Sequence, residues 1–287
     1  MKLSKHRIFI SGGAGVIGQE LVKILYNEGA KLFIGDLKKK PKSFKDDIVY
    51  RQGDLNYVKE EELIEFNPNI FIHLAATFER TEEKKDFFEK NFWHNLKLSN
   101  KLLGILYKQK NIKQIIFASS YLIYNDKYYT SKEVRDVPYI LNENSEIFPR
   151  NLVGMAKLCH EIEIDFLKKF KSKKSNFISV RIFRGFGKGS QDIISRWIRS
   201  LLNKEKIYIF NPENMFDFIY AKDTAKGISN LINSNYQGAI NLGSGKSTKI
   251  SDVIKNLRKK FPAMKTKYLT SKIKFEASEA DISLLKK

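Results

Sequence analysis

From Arg7 to about Gly185 the chain alternates short β-branched runs with longer stretches of helical period, and that alternation admits few folds. Strands are predicted over residues 7–11, 31–36, 48–52, 70–74, 114–119 and 176–182, with helices near 16–28, 59–66, 83–108 and 152–170. Strand–helix–strand order closes through right-handed crossovers. The expected fold class is therefore α/β, a doubly wound parallel sheet of Rossmann type, with ligands outside the carboxyl ends of the strands. Beyond Gly189 the pattern loosens into helices near 192–202, 222–232 and 250–260 and short strands near 207–210 and 218–219. No Pro/Gly/Ser linker intervenes. Residues 1–185 are expected to form a nucleotide-binding domain, and 186–287 a small α/β substrate lobe packed on it.

Several function classes drop out. Apolar runs such as 8–10 and 115–118 are strand-sized, far below the roughly 20 residues of a membrane-spanning helix, so no membrane partner is expected. The first seven residues lead into a strand with no secretory h-region, and export is not expected. One cysteine, Cys159, excludes an intramolecular disulfide and a thiolate metal cage, which fits a cytoplasmic location and no metal. Helical periodicity around it predicts a small buried side chain. The formal net charge is +20, but lysines outnumber arginines about four to one and are scattered, so nucleic acid is not an expected partner.

The first strand ends in Ser11-Gly12-Gly13-Ala14-Gly15-Val16-Ile17-Gly18, directly before an amphipathic helix. Glycines permit the tight turn and a close backbone approach to a pyrophosphate, while Val16, Ile17 and Gly18 open the helix, where free N–H groups and the dipole favour an anion. Asp36 closes the second strand, where a carboxylate binds ribose hydroxyls and repels a 2′-phosphate. NAD is thus expected over NADP, with Lys38, Lys39 and Lys40 as the competing feature.

Further landmarks follow in order: Gly53-Asp54-Leu55, Ile72-His73-Leu74-Ala75-Ala76, Asn91, Phe117-Ala118-Ser119-Ser120, Ile182-Phe183-Arg184-Gly185-Phe186-Gly187, the run from Asp217 to Asp223, and Asn241-Leu242-Gly243-Ser244-Gly245. Together they resemble the extended short-chain dehydrogenase/reductase family, in its nucleotide-sugar epimerase/dehydratase branch, over nearly the whole chain. The resemblance implies that Asp54 and Leu55 receive the adenine, and that Leu74, Ala75, Ala76 and Asn91 line the cofactor. It also implies that Thr77 faces the substrate, that Ser120 is the active-site hydroxyl, and that Lys157 holds the nicotinamide ribose. It further implies a homodimer built on the helices near 83–108 and 152–170.

Two positions depart from the family pattern. Its members pair a tyrosine with a lysine four residues later; here the segment reads Val153-Gly154-Met155-Ala156-Lys157, with valine in the tyrosine's place. Loss of a positioned acid/base costs typically about 10² to 10⁴ in rate. Tyr128-Tyr129-Thr130-Ser131-Lys132 satisfies the same spacing, but in a polar loop; Tyr121, beside Ser120, is the better substitute catalytic group. Phe216 stands where members usually carry an arginine for the substrate diphosphate, leaving Arg184, or Arg196 and Arg199, as candidate cations. Tyr121 and Leu122 are not acidic where dehydratases carry an acidic pair, so dehydration is disfavoured. The resemblance implies an NAD-dependent oxidoreductase or epimerase on a nucleotide-activated sugar, with hydride transfer at a sugar carbon such as C4, in surface-polysaccharide synthesis. The alternative is a catalytically impaired NAD-binding sensor or subunit of the same fold.

Overall fold

The computed structural model describes residues 3–78, 85–170 and 175–286. In chain order its elements are β1 (Arg7–Ser11), α1 (Val16–Asn27), β2 (Lys31–Asp36), β3 (Val49–Gln52), α2 (Glu60–Phe66), β4 (Ile70–His73), α3 (Lys85–Asn91), α4 (Leu98–Lys108) and β5 (Gln114–Ser120). They continue with β6 (Thr130–Ser131), β7 (Tyr139–Leu141), α5 (Leu152–Phe170), β8 (Asn176–Ile182), β9 (Arg184–Phe186), α6 (Ile193–Leu202) and β10 (Ile207–Phe210). The last are β11 (Met215–Tyr220), α7 (Ala221–Asn230), β12 (Gly238–Leu242), β13 (Ser247–Lys249), α8 (Ile250–Lys260), β14 (Thr266–Leu269) and β15 (Phe275–Ala280).

Seven parallel strands form the main sheet in the order β12-β8-β5-β4-β1-β2-β3. The expected six are all present. Period-2 alternation assigns their side chains to two cores: Ile8, Ile10, Ile34, Ile72, Ile116 and Val180 pack on one face with α1 and α7, and Phe9, Phe33, Phe71, Phe117 and Phe177 on the other with α2, α4 and α5. Burial on both faces explains why these strands read as continuous apolar runs.

The division at residue 185 needs correction. Strand β12 pairs with β8 along its whole length, and α7 covers α1, so residues 221–242 return to the main sheet after the chain has left it. Sequence reading missed β12 because Gly238-Ala239 opens it without a β-branched run. The second lobe is built on β11, flanked by β9, β13 and β15, with its own core of Trp197, Ile207, Ile209, Phe216, Ile250 and Ile254.

The helix predicted over 83–108 begins outside the described residues; its remainder is α3 and α4 joined by a π-helical stretch, Phe92–Lys97. Cys159 is exposed, not buried as expected. It lies on the outer stripe of α5 with Met155, Ile162 and Phe166, also exposed, so an apolar stripe of helical period here faces away from the core. Among the described residues no helix is long and apolar enough to cross a membrane.

Candidate functional site

The site lies at the carboxyl ends of the parallel strands. The glycine turn comes first because the backbone dictates it: Gly12 has φ +77°, and a Cβ there would sit 2.6 Å from the Ala75 nitrogen. A Cβ on Gly18 would meet the Gly12 carbonyl at 2.5 Å. Gly15 starts α1 with no side-chain cap and no acidic residue in the first turn, so the N–H groups of Val16, Ile17 and Gly18 are left for an anion. Beneath the turn a neutral His73, its pKa pushed well down by burial, hydrogen-bonds Ser11 (2.5 Å) and Ser99 (2.6 Å) and joins β1, β4 and α4.

Asp36 ends β2 with its carboxylate accepting the N–H groups of Ala14 and Lys38, both at 2.9 Å, which holds it against the glycine turn. Lys38 and Lys39 are exposed, and Lys40 turns back to the Ile48 carbonyl at 3.1 Å. Asp54 accepts the Asn56 N–H at 2.8 Å and the Trp93 indole N–H at 2.6 Å, and these bonds draw its pKa down against the opposing effect of burial. Trp93 belongs to the π-helical stretch, and sequence reading missed it. Leu55 is buried against Gly35. Leu74 donates to the Ser11 carbonyl at 3.0 Å, Ala75 lies against Gly12, and Ala76 is exposed.

Asn91, expected to line the cofactor, ends α3. It is 1% exposed, and its amide is used at both ends, donating to the Leu152 carbonyl (3.2 Å) and accepting from Asn95 (2.7 Å). Asn95 in turn takes both backbone groups of Thr77, at 2.8 and 2.9 Å. The two asparagines therefore fix the loop after β4 and the start of α5. The pattern that could have revealed this is their i, i+4 spacing on one helix.

Helix α5 docks on the end of β5 with little clearance, since a Cβ on Gly154 would stand 2.4 Å from the Leu122 carbonyl. One turn beyond Lys157, buried Glu161 accepts the Ser119 hydroxyl (2.5 Å) and both Nε (3.2 Å) and an Nη (2.8 Å) of Arg181. Arg181 also donates to the Tyr124 hydroxyl (3.1 Å), which donates to Asn241 (2.7 Å). This chain of bonds sets α5 against β5, β8 and β12. Lys157 is buried, its ammonium 4.8 Å from the Phe117 ring centre and without an ion pair among the described residues, and desolvation lowers its pKa to about 8. Ser120 caps the turn after β5 by accepting the Leu122 N–H at 3.2 Å; its own proton has no acceptor among the described residues. Val153 is 5% exposed, one helical turn before Lys157.

Tyr121, the expected substitute catalytic group, follows Ser120 in the turn after β5. It is buried against Phe183 and donates to Glu276 at 3.1 Å; burial, with Glu276 adding to it, raises its pKa to about 12 despite Arg184. Arg184 pairs with Glu276 at 2.9 Å and lies over the Phe216 ring at 3.8 Å. Arg196 is on the exposed face of α6 and does not join this group; Arg199 donates to the Ser190 carbonyl at 2.6 Å. In the loop sequence at 128–132, Tyr128 donates to Glu146 and Tyr129 is buried with its pKa driven up, so neither phenol offers a base. Asp217 accepts from Ser244 (2.6 Å), Gly245 (2.9 Å) and Ala280 (3.1 Å), tying three segments of the second lobe together.

A glycine cradle at an uncapped helix start, with a carboxylate at the end of the neighbouring strand, defines a dinucleotide-binding α/β protein. The chain belongs to the NAD dependent epimerase/dehydratase family, whose model matches residues 8–243, and NAD is its cofactor. It is 26% identical to the dTDP-4-dehydro-6-deoxyglucose reductase of Escherichia coli, covering 90% of this chain and 82% of the reductase. It is 23% identical to the UDP-glucose 4-epimerase of Halalkalibacterium halodurans, covering 88% and 79%. Among solved structures, the UDP-N-acetylglucosamine 4-epimerase from Methanobrevibacter ruminantium M1, in complex with UDP-N-acetylmuramic acid, superimposes with a TM-score of 0.81 at 26% identity, covering 100% of this chain and 92% of that one. MoeE5 in complex with UDP-glucuronic acid and NAD gives 0.83 at 21% identity, covering 97% and 91%.

Proposed function

We propose that the protein is an NAD-dependent oxidoreductase or epimerase of a nucleotide-activated sugar, with hydride removed at a sugar carbon, C4, and a role in making sugars for surface polysaccharide in the cytoplasm. The observations that support this reading are a Ser120 hydroxyl at the end of β5 whose proton has no acceptor among the described residues, and a buried Lys157 ammonium on α5, the helix packed against that strand, in the same sheet whose first strand ends in the glycine turn. Gly12, Gly15, Val16, Ile17 and Gly18 would hold the pyrophosphate, Asp36 the adenosine ribose, and Lys157 the nicotinamide ribose. NAD, when bound, supplies the hydride acceptor. Ser120 donates its hydrogen bond to the sugar oxygen, and Lys157 places a positive charge where the oxygen's proton must leave. Thr77, held by Asn95, lines the sugar side of the loop after β4.

The second reading, an NAD-binding sensor or subunit without turnover, is favoured by a specific observation: Val153 carries no phenol, and Tyr121 is committed as a donor to Glu276. Native mass spectrometry of the purified protein, followed by single-turnover absorbance of NADH with nucleotide sugars, separates the two. Co-purifying NAD(H) with a nucleotide sugar that reduces it supports the enzyme; bound NAD without reduction by any sugar supports the sensor.

For assembly, the outward apolar stripe of α5, with exposed Phe88 on α3 and Phe92 in the π-helical stretch, is the surface we assign to a homodimer.

A further inference from the structure

His160 stands on α5 three residues after Lys157, 2% exposed, its ring at 76° to the Phe117 ring of β5. Its surroundings differ in kind from those of His73. His73 lies between two hydroxyls, each able to donate or accept, and a neutral ring satisfies both. His160 lies between two groups that only accept: the Glu163 carboxylate, 2.9 Å from Nδ1, and the Asn95 carbonyl, 3.0 Å from Nε2. A neutral imidazole has one N–H and would turn a lone pair on one of these oxygens. Both bonds form together only when both nitrogens donate, so the ring carries a proton on each. Glu163 is itself fixed, since its other oxygen accepts the Asn100 amide at 2.6 Å.

Among the described residues the other charged groups nearby are cations or are engaged elsewhere. Lys157 and His73 flank the same Phe117 ring, and Glu161 is paired with Arg181. On the π-helical stretch and α4, His94 lies toward Asp54, Lys97 stands over the Trp93 ring at 3.5 Å, and Lys101 donates to the Asn56 carbonyl at 2.6 Å. The consequence of the His160 proton lies at the other end of Asn95. That side chain holds both backbone groups of Thr77, and donates to Asn91, which reaches the Leu152 carbonyl at the head of α5. Thr77 follows Ala75 and Ala76 in the loop after β4, and Ala75 lies against Gly12 of the cofactor turn.

We propose that His160 and Glu163 are a positioning pair for the cofactor: the doubly protonated ring clamps the π-helical stretch to α5 and so holds the loop after β4 in the shape that NAD binds. Loss of one proton breaks one of the two bonds, and NAD must then reset the loop it binds. Affinity for NAD therefore falls as pH rises through the histidine range, and NAD in turn strengthens the hold on the proton. The pair acts on the grip of NAD alone, and serves an enzyme and a sensor alike.

The test begins with long-range proton–nitrogen correlation spectra of the histidine rings in the full chain, the His160 signals being assigned by their loss in His160→Gln. Two N–H signals are expected at about pH 6, and a bare ring nitrogen there overturns the proposal. With NAD bound, the pH at which the second proton leaves should rise by about one unit, which is a 10-fold coupling to NAD; an unchanged midpoint also overturns it. Calorimetric titration of NAD between about pH 5.5 and 9 then compares the parent with Glu163→Gln. In the variant the new amide donates to Nδ1 of a neutral ring, whose Nε2–H still donates to Asn95, so the clamp closes without the second proton. The parent's dissociation constant is expected to rise roughly 10-fold across the range, the loss of one charged hydrogen bond. Glu163→Gln should keep the low-pH affinity with a clearly smaller rise, because any contribution of Lys157 is common to both proteins. A variant that melts lower but follows the parent's pH profile marks a merely structural bond and refutes the assignment.

Discussion

Restoring the missing phenol by Val153→Tyr asks the most of the site. Residues 153 and 157 are one turn apart on α5, so the new ring would rise beside the Lys157 ammonium, with Cβ atoms about 5–6 Å apart. An ammonium about 5 Å from a phenolate at an effective dielectric near 20 is worth about 3 kcal/mol, or roughly two pH units. That would bring an ordinary phenol from about 10 to near 8, opposite in direction to the rise that burial imposes on Tyr121 despite Arg184. A positioned base contributes typically 10² to 10⁴ in rate, about 3–5 kcal/mol off the barrier. Overpacking at a side chain that is 5% exposed costs about 1–3 kcal/mol, within the stability of an ordinary domain. The assay is NADH absorbance in single-turnover mixtures with a panel of nucleotide sugars, alongside thermal melts and NAD titration. A rise of at least tenfold over the parent is expected, and Tyr121→Phe, which removes only the bond to Glu276, should leave the chemical step unchanged. If Val153→Tyr folds, binds NAD and turns over no faster than the parent, proton transfer at this position is not what limits the protein and the argument fails. If the parent also shows no turnover, the sensor reading takes its place.

Asp36→Ala removes the acceptor of two backbone N–H groups and the carboxylate facing the ribose, so the preference for NAD over NADP should narrow in calorimetry; tighter binding of NADP by the parent would shift attention to Lys38 and Lys39. Lys157→Met should stabilise the cofactor-free protein at pH 7 by about 3 kcal/mol, because a folded pKa of about 8 against an ordinary 10.5 is a penalty fully present below pH 8. The penalty fades as pH rises through the unfolded value, so the gap between parent and variant in urea unfolding should close by about pH 10.5; a gap independent of pH refutes it. Arg181→Met strands Glu161 in the interior and should cost roughly 3–5 kcal/mol in the same measurement, whereas a loss below 1 kcal/mol would show the network to be slack. Sedimentation should give a dimer at micromolar concentration that Phe166→Asp converts to monomer; a monomeric parent removes the dimer.

Local pattern carried the six predicted strands, the glycine turn and Asp36, because each depends on neighbours in sequence: two-fold alternation marks a strand, and only glycine tolerates φ +77° with the Ala75 backbone 2.6 Å away. The motif series likewise points to Ser120 and Lys157, whose roles remain part of the proposed function. Contacts between distant segments were not legible. Strand β12 joins the sheet across a gap of some 60 residues, and its opening Gly-Ala has no local strand signature. Glu276 meets Tyr121, Arg150 and Arg184 from 155, 126 and 92 residues away, and nothing in its own sequence neighbourhood marks it as their partner. Cys159 and Tyr121 show the same limit in reverse. Periodicity says that a helix face or a turn residue is apolar, but whether that side meets the core or the surface is decided by the elements packed against it. What the sequence determined by itself is the order of elements and the cofactor turn, which are short-range consequences of backbone sterics and side-chain period. Which side chains share a charge, a burial or a proton is decided by the tertiary structure, because electrostatic and packing energies depend on distance in space and not along the chain.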